Sequence, residues 1–136
     1  MKLVFGVFVG LLVALGVGWL WGTWGKSDLA RALQAAELRD ELHEARGAVL
    51  ESRLDIYSVN FGEASRHLEA ARTALGAAAQ RLKDVGGEED AKRLALAATR
   101  IDEAQRLAGE LNQDANSRAA DAAKAIDDVL HRAEKR

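Results

Sequence analysis

The chain has 136 residues and a formal net charge of −2, and it contains neither cysteine nor proline. The lack of cysteine excludes disulfides and thiolate chemistry, and the even mixing of basic and acidic residues argues against a nucleic-acid partner. The composition is rich in Ala, Glu, Arg and Leu, which is typical of long helices. An all-α fold is therefore predicted.

The chain begins with a long uncharged stretch, residues 3–24, which lies between Lys2 and Lys26. As an α-helix this stretch would be about 33 Å long, enough to cross a bilayer. Since the residues that follow it do not form a small-residue cleavage site, a retained anchor is favoured over a cleaved signal peptide. We predict a single transmembrane helix over residues 1–25, surrounded by the lipid bilayer.

Small residues recur at every fourth position of the predicted anchor. They are Gly6, Gly10, Ala14, Gly18 and Gly22. A face of this kind lets another transmembrane helix approach closely, so the predicted partner is a helix of a larger membrane complex or of a second copy. The aromatic residues Trp19, Trp21 and Trp24 are predicted to lie at the membrane interface.

The flanks of the anchor bear on which side of the membrane the rest of the chain occupies. A two-residue lead before an apolar run is typical of an uncleaved export signal and favours the extracytoplasmic, periplasmic side. The cations Lys26, Arg31 and Arg39 favour the cytoplasmic side instead. We favour the extracytoplasmic side, and the cytoplasmic side stays open.

Beyond the anchor, the chain reads as a short stalk over residues 26–34 and a soluble helical bundle over residues 35–136. Ser27 is a candidate N-cap for a first soluble helix that ends near Val59. Three breaks follow, at Asn60-Phe61-Gly62, Gly86-Gly87 and Asn112-Gln113-Asp114. Four helices of similar length joined by short turns predict an antiparallel bundle.

The bundle is predicted to consist of two repeated hairpins, residues 35–85 and 88–135. A shift of 52 residues lays Asn60 on Asn112 and Val59 on Leu111. Apolar residues at heptad spacing are expected to face the core. They include Ala35, Leu42, Val49, Ile56, Val59, Leu68, Leu75, Leu82, Val85, Leu94, Ile101, Leu111, Ile126, Val129 and Ala133.

The polar residues are predicted to be structural. His43 and His131 are expected at a similar height on neighbouring helices, but neither stands in an H-E-x-x-H or E-x-x-H motif. The acids Glu88, Glu89 and Asp90 suit the first turn of a helix. With no motif of a known catalytic, cofactor-binding or metal-binding type, we predict no enzyme activity and no cofactor.

Tyr57 and Phe61 are the aromatic residues outside the anchor and its interface. They are expected either to close one end of the core or to form an exposed tip that docks on a partner.

The predicted function is that of an accessory or scaffolding subunit of a membrane protein complex. One alternative is an elongated coiled-coil peripheral stalk that resembles subunit b of a rotary ATP synthase, because both have one apolar anchor followed by a long, charged, Ala-rich helical region. The other alternative is a helical bundle that binds a small molecule.

Overall fold

A computed structural model describes the backbone of residues 2–135 and the side chains of residues 28–135. This part of the chain forms four α-helices: α1 (Lys2–Tyr57), α2 (Phe61–Asp84), α3 (Glu88–Gly109) and α4 (Ala115–Glu134). The prediction of an all-helical chain with four helices in the bundle is confirmed. The three turns lie at or beside the predicted breaks.

The main difference from the prediction concerns the start of the first soluble helix. We expected a new helix near Ser27, whereas α1 continues through this residue. A capping side chain stabilises a helix only where the backbone before it is non-helical. Because α1 is already helical before Ser27, the residue has no helix start to cap.

The chain divides into two compact units, residues 1–35 and residues 36–136. The second unit contains the end of α1 together with α2, α3 and α4, arranged as a bundle. Most of its core lies on the stripes that the heptad spacing predicted. The largest fully buried side chains include Leu42, Val49, Ile56, Leu68, Leu75, Leu94, Ile101, Ile126 and Val129.

Contacts between α1 and α4 show that these helices are antiparallel. They join Arg39 Nη2 to the Ala133 carbonyl at 3.5 Å, Arg46 Nε to Asp127 Oδ1 at 2.5 Å and Arg53 Nε to Asn116 Oδ1 at 2.8 Å. The residue number falls along α4 as it rises along α1. Pairs between α3 and α4, Glu103–Arg118 and Asp90–Arg132, show the same relation.

The opposite flank of α1 faces α2 and is acidic. Arg81 on α2 donates to Glu37 at 2.6 Å and to Glu41 at 2.7 Å, and His67 Nδ1 lies 2.8 Å from Asp55 Oδ2. The hydrogen bond to Glu41 raises the pKa of Arg81, burial opposes this, and the charge of Glu41 and the contacts with Glu37 add to it. The two carboxylates of α1 thus favour the charged form of this guanidinium.

The two flanks of α1 thus carry opposite charge, and each meets a complementary helix. The flank toward α4 presents the basic residues Arg39, Arg46 and Arg53, whereas the flank toward α2 presents acids. Exchanging α2 and α4 around α1 would place Arg81 against the basic flank. Charge patterning of this kind selects one order of helices over the other.

Antiparallel packing gives the bundle two different ends. The α1–α2 turn (residues 58–60) and the α3–α4 turn (residues 110–114) share one end, as the Arg53–Asn116 contact shows. We call this the double-turn end. The α2–α3 turn (residues 85–87) and the end of α4 share the other, which we call the single-turn end.

Four of the predicted core positions are wrong. Val59, Val85 and Leu111 are exposed, and Ala35 is exposed in the first unit. The heptad spacing continues through the first three, but each follows the last residue of a helix, so its side chain no longer lies on the inward stripe. Ala133, near the end of α4, is only half-buried.

Candidate functional site

The three turns of the bundle have the same backbone hydrogen bonds. In each, the N–H of the third residue after the helix donates to a carbonyl five residues earlier. These bonds are Asn60 to Asp55 at 2.7 Å, Gly87 to Leu82 at 2.7 Å and Asn112 to Leu107 at 2.9 Å. The preceding N–H bonds the carbonyl three residues before it, which completes a Schellman motif.

A Schellman motif places one residue in the left-handed region of backbone space. At the single-turn end this residue is Gly86, with φ 77°. At the double-turn end the same position holds Val59, with φ 62°, and Leu111, with φ 54°. Glycine tolerates this conformation, whereas an L-residue with a Cβ is strained by about 1–2 kcal/mol. Both turns of the double-turn end are therefore strained.

The strained residues are also exposed and apolar. Val59 is 65% exposed and Leu111 is 70% exposed. Among the described residues of the bundle, six large apolar side chains are exposed, and four belong to the double-turn end: Leu54, Tyr57, Val59 and Leu111. We call these four residues the apolar tip.

The two aromatic residues near this end behave differently. Phe61 is 8% exposed and packs into the core, as the first of the two expectations for it required. Tyr57 is 79% exposed, which suits the second expectation. The two residues lie on opposite sides of the turn, since Tyr57 ends α1 and Phe61 begins α2.

Charged residues beside the apolar tip are paired with each other. Arg66 contacts Glu63, and Arg106 Nη1 donates to Glu110 Oε1 at 2.6 Å. Exposed apolar side chains together with strained backbone are typical of an interaction site.

The residues predicted to act in the membrane are outside the described side chains. These are the helix-packing residues Gly6, Gly10, Ala14, Gly18 and Gly22 and the interface residues Trp19, Trp21 and Trp24. Among the residues for which side chains are described, no helix is long and apolar enough to span a bilayer. The predicted anchor stays a prediction.

Two of the three histidines come together, as their spacing from the turns predicted. His43 and His131 line a cleft of about 350 Å³ between α1 and α4, together with Asp127 and Glu134. Within the described part of the chain, no three His, Cys, Asp or Glu side chains are arranged to hold a metal ion. In this cleft the acid Asp127 instead accepts from Arg46.

The acids at the start of α3 divide into two kinds. Glu88 and Glu89 are exposed in the first turn, as expected for residues that favour the helix dipole. Asp90 is buried, which the sequence did not predict, and its Oδ1 lies 4.0 Å from Arg132 Nη1 on α4. Asp90 therefore contributes to the contact between α3 and α4.

The described structure defines a protein of the four-helix-bundle class with an apolar tip at one end. Comparison of the chain with protein-family models, with curated proteins and with solved structures found no match.

Proposed function

We propose that this protein is a single-pass, membrane-anchored accessory or scaffolding subunit of a membrane protein complex. Residues 1–25 anchor it in the bilayer, and the ladder from Gly6 to Gly22 packs against transmembrane helices of the complex or of a second copy. The bundle lies on the extracytoplasmic side, is built of two repeated hairpins and has no enzymatic role. Its apolar tip binds a second part of the complex.

The observation that supports the proposal most strongly is the backbone at Val59 and Leu111. Left-handed backbone at both positions is unfavourable for a valine and a leucine, and the exposed side chains bury little surface in return. Strained backbone of this kind clusters at binding and switch sites. A partner that covers these side chains supplies the missing contact.

The coupling of an anchor to a bundle also distinguishes this proposal from its alternatives. A peripheral stalk like subunit b of a rotary ATP synthase needs a long unbroken helix beyond the membrane. Here the chain reverses direction at residues 58–60, 85–87 and 110–114, which favours a compact head. A bundle that binds a small molecule in its interior needs space between large side chains, and many of the facing core positions are alanine.

The proposal is tested by extracting the full-length protein from its native membranes in mild detergent and measuring the size of the particle. We expect a complex much larger than one chain. Gly10→Leu and Gly18→Leu place a large side chain on the small-residue ladder and should reduce the size of this complex.

Gly16→Leu is the matched control, because successive helical residues are 100° apart and position 16 falls on the face away from positions 14 and 18. This variant should leave the complex intact. Migration of the unmutated protein as a lone monomer, unchanged by Gly10→Leu or Gly18→Leu, would refute the proposal.

A further inference from the structure

A second feature of the bundle concerns a groove between α3 and α4, near the double-turn end. Its volume is about 720 Å³. Three arginines line it, together with two acids and a serine: Arg100, Arg106, Arg118, Glu103, Asp114 and Ser117. Arg106 is already paired with Glu110, which is not among the lining residues, so the site depends on Arg100 and Arg118.

Two of these arginines converge on a single oxygen atom. Arg100 Nη1 donates to Glu103 Oε2 at 3.0 Å, and Arg118 Nε lies 3.4 Å from the same oxygen. The guanidinium groups come from different helices, α3 and α4, so the fold itself brings them together. Glu103 thus marks a point where the groove already holds an oxyanion between two cations.

The remaining donors around this point suit a larger anion. Each guanidinium has five N–H donors, of which the contacts to Glu103 use few. Arg118 Nη1 lies 3.7 Å from Asp121 Oδ2, which is beyond hydrogen-bonding distance. Ser117 supplies a hydroxyl in the first turn of α4, where the helix dipole is positive.

We propose that this groove binds a phosphate group. Guanidinium forks match the geometry of phosphate oxygens, and two forks on one centre give bidentate contacts that a single surface pair lacks. The existing ion pairs are half-exposed and contribute little to stability, so the arginines can exchange Glu103 for the ligand without a large loss. The phosphate belongs either to a small soluble compound or to a lipid headgroup.

The proposal is tested by isothermal titration calorimetry of the full-length protein in mild detergent. Pyrophosphate serves as the soluble probe, and short-chain phosphatidic acid in the same detergent serves as the headgroup probe. We expect saturable binding of one of them, which identifies the source. Affinity should fall at least about tenfold in Arg100→Gln/Arg118→Gln, as expected for the loss of charge-assisted hydrogen bonds, and should weaken with added salt.

Two further variants separate a built site from general electrostatics. Glu103→Gln removes the carboxylate that competes for both arginines and should tighten binding several-fold. Arg72→Gln removes a comparable cross-helix ion pair, with Asp102 at 2.6 Å, outside the groove and should leave affinity unchanged. Thermal unfolding of each variant verifies that it is folded.

Three results would overturn the proposal. The first is the absence of saturable heat with both probes for the unmutated protein and for Glu103→Gln. The second is an equal loss of affinity in Arg72→Gln and in the double arginine variant. The third is weaker binding after Glu103→Gln, since this would make the carboxylate part of the binding site and not its competitor.

Discussion

The two ends of the bundle close their turns with the same hydrogen bonds but with different residues. The single-turn end places Gly86 in the left-handed position and follows it with Gly87, where a Cβ would lie 2.9 Å from Leu82 Cδ2. The double-turn end places Val59 and Leu111 in the equivalent positions, with their side chains exposed. One end is relaxed, whereas the other combines strain with exposed apolar surface.

This difference supports the proposed docking role of the double-turn end. A turn under selection for stability alone favours glycine at the left-handed position, as at Gly86. Valine is among the least suitable residues there because it is β-branched. In the proposed role, the double-turn end loses stability in exchange for an exposed apolar surface, whereas the single-turn end does not.

The largest expected effect concerns Phe61, which closes the core beneath the double turn. Phe61→Ala should lower the free energy of unfolding by about 3–5 kcal/mol, because it removes a buried aromatic side chain and leaves a cavity. Thermal or denaturant unfolding of the full-length protein measures this change. An effect below about 1 kcal/mol would mean that the double-turn end is loosely packed throughout, and the contrast between the ends would then have another origin.

The second prediction imposes strain on the relaxed end. Gly86→Ala should destabilise the protein by about 1–2 kcal/mol, because the backbone is left-handed there. Since the space around a new Cβ is open, no steric clash adds to this backbone strain. Gly76→Ala is a matched control, since Gly76 lies within α2 and its Cβ would also meet open space. That variant should instead stabilise by about 0.5–1 kcal/mol. The same sign for both would contradict the assigned backbone.

The third prediction relieves strain at the other end. Val59→Gly and Leu111→Gly should each stabilise the bundle by about 0.5–1 kcal/mol, because relief of left-handed strain exceeds the added entropy of glycine in the unfolded chain. Val59→Ala is the control, as it shortens the side chain and keeps the strain. Glycine variants that are less stable than the unmutated protein would mean that Val59 and Leu111 stabilise their turns.

The smallest expected effect on stability concerns Tyr57. Tyr57→Ala should change the free energy of unfolding by less than about 0.5 kcal/mol, because most of its side chain is exposed. In the proposed role it should nevertheless weaken the complex recovered from membranes, since exposed tyrosines are frequent at the centres of interfaces. Loss of stability without loss of the complex would assign Tyr57 to the fold alone.

Much of this fold could be predicted from the sequence because helix periodicity and breaker residues are local signals. The spacing identified the buried stripe of α1 that includes Leu42, Val49 and Ile56. The pair Gly86-Gly87 correctly marked the turn between α2 and α3. Counting from the turns also brought His43 and His131 together. In an antiparallel bundle, height along one helix fixes height along its neighbour.

The features that the sequence did not reveal depend on single residues at helix ends. Val59 and Leu111 continue the heptad spacing, so periodicity assigned them to the core, although the helix ends just before each of them. Asn60 and Asn112, which follow these residues, indicated that a helix ends nearby. The left-handed residue, however, is the one before each asparagine. Helix-end geometry of this kind is decided by hydrogen bonds that periodicity does not contain.

The arginine groove was missed for a different reason. Arg100 and Arg118 are far apart in the chain, and each has an acid nearby on its own helix, so each reads as an ordinary surface pair. Only the register of α3 against α4 shows that both reach the same oxygen of Glu103. Register between helices is a property of the packed core.

The account is tested most directly by measuring stability and assembly on one variant, Val59→Gly/Leu111→Gly. The full-length protein is extracted in mild detergent, and its unfolding midpoint and the size of its complex are compared with those of the unmutated protein. We predict a higher midpoint together with a smaller complex, because strain is relieved while the docking side chains are lost. A higher midpoint with a complex of unchanged size would contradict the claim that the double-turn end is an interaction surface.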